Sequence, residues 1–116
     1  MTLEEVLAKL AVAEVNITSN YRDAVWEEES RIEDVRDDVL LALDGVRTAL
    51  GDYDLVEAKK SLAEAIDAEM QGKVFAGEAE LDAIAELVDT WAAIIGDDPE
   101  LIPEHIKSQG HPKLPL

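Results

Sequence analysis

Apolar positions recur at steps of three and four over most of this chain. The clearest run extends from Asn20 to Leu50, where Tyr21, Val25, Ile32, Val35, Val39, Ala42, Val46 and Leu50 fall on one line. An α-helix repeats every ~3.6 residues, so that spacing places them on one helical face. Between them stand Asp23, Glu27, Glu29, Glu33, Asp34, Asp37 and Asp38, directed away from the seam. One edge of this helix requires a partner, and the rest is a dense anionic surface.

The flanking segments repeat the helical pattern. Thr2 with Glu5 forms a capping box, which starts a helix running from Leu3 to Val15 or beyond with Val6, Leu7, Leu10 and Ala13 on its apolar face. Asn16-Ile17-Thr18-Ser19-Asn20 is rich in residues that favour caps over helix interiors. It predicts a break, with Ser19 or Asn20 capping the second helix. Leu10, Ala13, Ile17, Tyr21 and Ala24 nevertheless keep helical phase, as an uninterrupted helix would require. Gly51-Asp52-Tyr53-Asp54 predicts a turn, with the glycine as stop signal and Asp54 capping a third helix over Leu55 to about Gln71. Its apolar face is Leu55, Ala58, Leu62, Ala65 and Ile66. Gly72 and Gly77 bracket a connection whose Phe75 is expected in the core. A fourth helix from Glu78 to Ile95 carries Leu81, Ile84, Ala85, Val88, Trp91, Ala92 and Ile95. Asp98 as N-cap and Pro99 at the first helical position predict a short piece through Ile102, and Pro103 to Ser108 one more turn. The predicted fold is all-α: a bundle of four main helices, the second longest, forming one helical domain over residues 1–109. An extended tail follows over 110–116, where prolines prevent regular structure. A long helix with a near-continuous seam also predicts a homodimer.

Composition narrows the possible partners. Ten basic residues against 27 acidic ones give a net charge of −17 and a pI near 4.2. Direct binding of nucleic acid or an anionic membrane surface is therefore not expected, because phosphate recognition requires a basic footprint. A basic protein surface, a polycation or a divalent metal would be attracted instead. An acidic, lysine-poor composition also fits adaptation to a salty cytoplasm. The chain has no cysteine, which removes disulfides and thiolate chemistry. Its opening has no signal-peptide pattern, and its longest apolar run, Trp91 to Ile95, is far too short for a membrane span. A cytoplasmic location is expected.

The chemistry-bearing residues are mainly carboxylates. Asp23, Glu27, Glu29, Glu33, Asp34, Asp37 and Asp38, with Trp26 as an aromatic anchor, form the expected partner-binding face. A ladder at i,i+4 carries one charge per ~6 Å of axis, against one per ~1.7 Å in duplex DNA. Mimicry of DNA therefore needs carboxylates from other helices, such as Glu78, Glu80, Asp82, Glu86 and Asp89. Glu28 falls on the apolar line, where a carboxylate must be paired, protonated or at the core edge. Leu114 and Leu116 offer a tail-docking contact. Asp34-x-x-Asp37 and Glu86-x-x-Asp89 loosely resemble the magnesium-binding carboxylate pairs of helical nucleotide pyrophosphohydrolases of the MazG kind. That resemblance implies a carboxylate-metal hydrolase, but no lysine-rich phosphate-binding element accompanies the pairs. The two histidines, His105 and His111, lie near the C-terminal end, away from the bundle positions that di-iron or phosphotransfer chemistry requires. The expectation is a non-enzymatic protein without metal or cofactor that binds a basic surface of a partner protein. An inhibitor or accessory factor of the kind phages direct at nucleic-acid-binding machines fits that description by class. A structural subunit docking through its tail is the alternative, and the metal hydrolase the second alternative.

Overall fold

The apolar stripes assemble into four long helices in the computed structural model, which describes residues 1–24 and 29–110, the side chains of residues 29 and 30 excepted. These helices are α1 (Leu3–Ala24), α2 (Glu29–Gly51), α3 (Leu55–Gly72) and α4 (Glu78–Asp97). A 3₁₀ turn (Pro99–Leu101) and a one-turn helix, α5 (Glu104–Lys107), follow. Over the described residues α2, at 23 residues, is among the longest, beside α1 at 22. Each helix packs on its neighbours in sequence, and α4 closes the ring against α1; the α2–α3 interface is the most extensive. Among the described residues the diagonal pairs, α1 with α3 and α2 with α4, have no close backbone approach. The result is a rod of 49 × 22 × 21 Å. No helix among the described residues is long and apolar enough to cross a membrane.

The core follows the predicted stripes. Val6 and Leu10 of α1, Val39, Val46 and Leu50 of α2, Leu55 and Ala65 of α3, and Ile84, Val88 and Ile95 of α4 are buried. Trp91 is buried as expected, its ring centroid 6.2 Å from that of Tyr53. Ile102 and Ile106 bring the C-terminal turns onto the same core.

The predicted break at residues 16–20 does not occur. Ile17 and Tyr21 are fully buried on a continuous α1. Each such burial contributes roughly 1.5–3 kcal/mol, whereas Asn, Ser or Thr in a helix costs at most about 0.7 kcal/mol per residue. Burial wins, and two of the polar side chains find partners. Thr18 Oγ1 donates to the Glu14 carbonyl (2.9 Å), and Asn20 Nδ2 donates to Glu80 Oε1 (3.2 Å). Ser19 and Asn20 therefore cap nothing. Tyr21 belongs to α1, so the line drawn from Tyr21 to Leu50 is divided between two helices. The α2 part is buried against α1 and α3, with Leu43 added and Ala42 only half-buried. The described seam residues of α2 are thus buried within the chain.

The turns also differ from the glycine rule. The predicted caps Thr2 and Asp54 are present, accepting from the backbone N–H groups of Glu5 (3.2 Å) and Glu57 (3.0 Å). The left-handed residues, however, are Tyr53 (φ 57°) and Lys73 (φ 55°), not Gly51 or Gly72. Gly72 serves packing instead: a Cβ there would lie 2.3 Å from Val35 Cγ2 on α2. Arg31 donates to its carbonyl, closing the end of α3. In the α3–α4 connection Val74 is buried and Phe75 is exposed, the reverse of the expectation for Phe75. Asp98 makes no side-chain cap, although Pro99 opens the 3₁₀ turn as expected.

Candidate functional site

The expected partner-binding face is partly assembled. Asp34, Asp37 and Asp38 stand exposed on α2, Glu33 is half-buried beside them, and Glu29 is the first residue of α2. Asp37 accepts from Arg36 at 3.1 Å. Asp23 is exposed near the end of α1, on a different helix from the rest. Trp26, Glu27 and Glu28 lie outside the described residues, as do Leu114 and Leu116 of the tail. The apolar side chain that the structure sets among these acids is Leu41, 73% exposed between Asp38 and Asp44.

Leu41 stands at a long groove between α2 and α3. Two recesses of about 580 and 390 Å³ share Leu41, Gly45 and Ser61 and so run together along the interface. Small or apolar residues line it, including Val35, Ala42, Gly45, Ala49, Ser61 and Ala68. Such residues let the two backbones approach: a Cβ on Gly45 would sit 3.0 Å from Ser61 Oγ. The carboxylates of the lining come from both sides, Asp38, Asp44 and Asp52 against Asp54, Glu57, Glu64 and Asp67, with no Lys, Arg or His among the lining residues. Among the described residues only Asp44 of these seven meets a cation, Arg47 at 3.4 Å. The acids of α3 had no place in the expected face, because periodicity does not reveal which polar stripe on one helix lies beside which stripe on the next.

A second constellation sits at the other side of α3. Glu69 is 3% exposed, and its Oε1 accepts from the Tyr21 hydroxyl (3.0 Å) and the Gly77 backbone N–H (2.6 Å). Tyr21 reaches it across the bundle diagonal from α1. Gly77 fits there closely, since a Cβ would lie 3.3 Å from Ile17 Cγ1 and 3.4 Å from both Glu69 Oε1 and Tyr21 Cε2. Burial raises the Glu69 pKa; the two donors pull it back, and the charges of Glu78 and Glu80 raise it further. Burial and the Glu69 carboxylate together push the Tyr21 hydroxyl well above its usual value. The sequence carried a signal for this site. Glu69 stands four residues after Ala65 and seven after Leu62, a carboxylate on the apolar stripe of α3, the same anomaly noted at Glu28.

The hydrolase-like pairs are not brought together. Asp34 and Asp37 are exposed on α2 and Glu86 and Asp89 are exposed on α4, and among the described residues these two helices make no close backbone approach. Asp89 is instead paired with Lys59 at 2.8 Å. Among the described residues no group of three or more acids and histidines is arranged to hold a metal ion. The chain matches no known family model, and no curated protein or solved structure is similar to it.

Proposed function

We propose that this protein is a non-catalytic binding protein that takes a basic surface of a partner protein into the acidic α2–α3 groove. The observation that carries the reading is the groove itself: apolar along its lining, edged by seven carboxylates, and free of basic residues. An apolar lining between like-charged walls suits an amphipathic cationic segment, whose apolar side buries while its lysines or arginines meet the walls. Leu41 supplies the exposed apolar anchor.

Charge mimicry of nucleic acid is a sharper form of the same reading, and the shape of the rod favours it. The whole chain's net charge of −17, spread over a 49 Å axis, averages about one charge per 3 Å. That lies between the ~6 Å of a single helical ladder and the ~1.7 Å of duplex DNA.

The test uses a labelled amphipathic Lys/Leu peptide and fluorescence anisotropy at low and high salt. Asp38→Lys with Glu64→Lys is expected to weaken binding about tenfold or more, equivalent to roughly 1.4 kcal/mol. Leu41→Asp is expected to weaken it as well. Two equivalent reversals outside the groove, Glu4→Lys with Glu104→Lys, should have little effect. Equal losses in the two reversal pairs would refute the groove as the site.

A further inference from the structure

One oxygen of the Glu69 carboxylate, Oε2, opens to solvent rather than to a donor among the described residues. Both hydrogen bonds to Glu69 end on Oε1, and among the described residues none reaches Oε2. Among the described residues no cation pairs with the group, and its charged neighbours are Glu78 and Glu80. An ionised carboxylate that is almost fully buried, with no counter-charge and further anions nearby, is an unfavourable arrangement by itself. The side chain lines a cavity of about 160 Å³ between the end of α3 and the start of α4. That recess has room for a short alkyl chain with a polar end. The remaining lining has two kinds of group. Ile66, Met70, Phe75 and Leu81 are apolar, and Glu78 and Asp82 add carboxylates. Met70 near the end of α3 and Phe75 in the α3–α4 connection are both largely exposed although both are large and apolar.

We propose that this cavity receives a primary ammonium group on an alkyl stem, the chemistry of a lysine side chain presented by a protein partner. The stem would lie on Met70 and Phe75, and the ammonium would approach Glu69, with Glu78 and Asp82 as flanking anions. Aromatic and thioether surfaces suit the methylenes, and an aromatic face also attracts the cation. A divalent metal fits less well, since among the described residues no three acids are arranged to hold one. The inference rests on the basic-partner reading only for the source of the lysine, because the cavity shares no lining residue with the α2–α3 groove.

The experiment is an NMR titration of the full chain with Nα-acetyl-lysine-N-methylamide, with its Nε-acetylated form and putrescine as parallel probes. The lysine probe is expected to shift the Phe75 ring and the backbone amides of Gly77 and Glu78, and the Nε-acetylated form to leave them unmoved. Glu69→Gln keeps an acceptor for Tyr21 and Gly77 but removes the charge, and is expected to weaken the response at least tenfold. Phe75→Ala, at an exposed position, provides a second reading should Glu69→Gln fail to fold, and is expected to weaken it severalfold. Asp38→Lys with Glu64→Lys should leave the response intact while weakening capture of the amphipathic peptide about tenfold or more, which separates this site from the groove. Shifts spread evenly over all acidic residues, or an unchanged response in Glu69→Gln or Phe75→Ala, would overturn the proposal. Equal binding of putrescine would overturn the assignment to a protein lysine.

Discussion

Replacing Tyr21 with Phe removes one oxygen from the centre of the bundle and nothing else. Tyr21 is fully buried, and its hydroxyl donates to Glu69 Oε1 at 3.0 Å. Without it the carboxylate keeps, among the described residues, only the Gly77 N–H, at 2.6 Å. A hydrogen bond to a charged group contributes about 1.5–3 kcal/mol, against about 0.5–1.5 for a neutral pair. Where Glu69 is ionised, Tyr21→Phe should therefore cost about 1.5–3 kcal/mol. For a domain of this size that is a fall in Tm of roughly 5–15 °C. The loss should depend on pH with a definite sign. The Glu69 pKa is raised by burial above its ordinary 4.5, so the folded state retains a proton that the unfolded chain releases. The stability contributed by this group is complete below pH 4.5 and is lost as pH rises through the folded pKa. Tyr21 donates to the ionised form and lowers that pKa, so Tyr21→Phe raises it further and extends the falling limb to higher pH. Urea denaturation of wild type, Tyr21→Phe, Glu69→Gln and the double variant, from pH 4 to 8, measures this directly. The difference between wild type and Tyr21→Phe should be small at pH 4 and grow towards neutrality. In the Glu69→Gln background it should be flat and no larger than a neutral hydrogen bond. Other carboxylates titrate in every variant and cancel from these differences. A Tyr21→Phe cost that is the same at both ends of the range, or below about 0.5 kcal/mol at neutral pH, would refute the buried charge-assisted bond.

Two further outcomes test the packing. Gly72→Ala should destabilise by about 1–2 kcal/mol despite the better helix propensity of alanine. The new methyl would overlap Val35 Cγ2 and crowd its Cγ1 and Cβ, so the valine must leave its present rotamer or the two helices must move apart. Val35→Ala should rescue it in a double-mutant cycle, and additivity within about 0.5 kcal/mol would exclude the contact. Trp91 carries a buried Nε1–H with no acceptor among the described residues. Trp91→Phe, read by thermal unfolding, should therefore cost less than the lost volume implies, about 1 kcal/mol or less, whereas Trp91→Ala should cost about 3–5. Similar costs for the two would show that the indole N–H is satisfied.

Local patterns carried most of the fold. The step of three and four placed Leu55, Ala58, Leu62 and Ala65, and likewise Leu81, Ile84, Val88, Trp91 and Ile95, on the stripes that the bundle buries. Thr2 and Asp54 were legible as caps because a cap is made by residues three apart, a distance the sequence itself specifies. The anionic character of the surface was equally legible, since a charge of −17 has no interior to hide in. Three things waited on tertiary structure. Asn16 to Asn20 read as a break because local propensity opposes helix there, and only the depth to which Ile17 and Tyr21 are buried reversed the balance. Gly72 and Gly77 read as turn glycines, but their lack of a side chain is used for close approach, by α2 at Gly72 and by the Glu69–Tyr21 pair at Gly77. The joint acidic groove of α2 and α3, and the meeting of Glu69 with Tyr21, depend on which stripes the bundle sets side by side. Periodicity assigns a residue to a face of its own helix. Which face of which other helix it meets is decided by how all four pack at once.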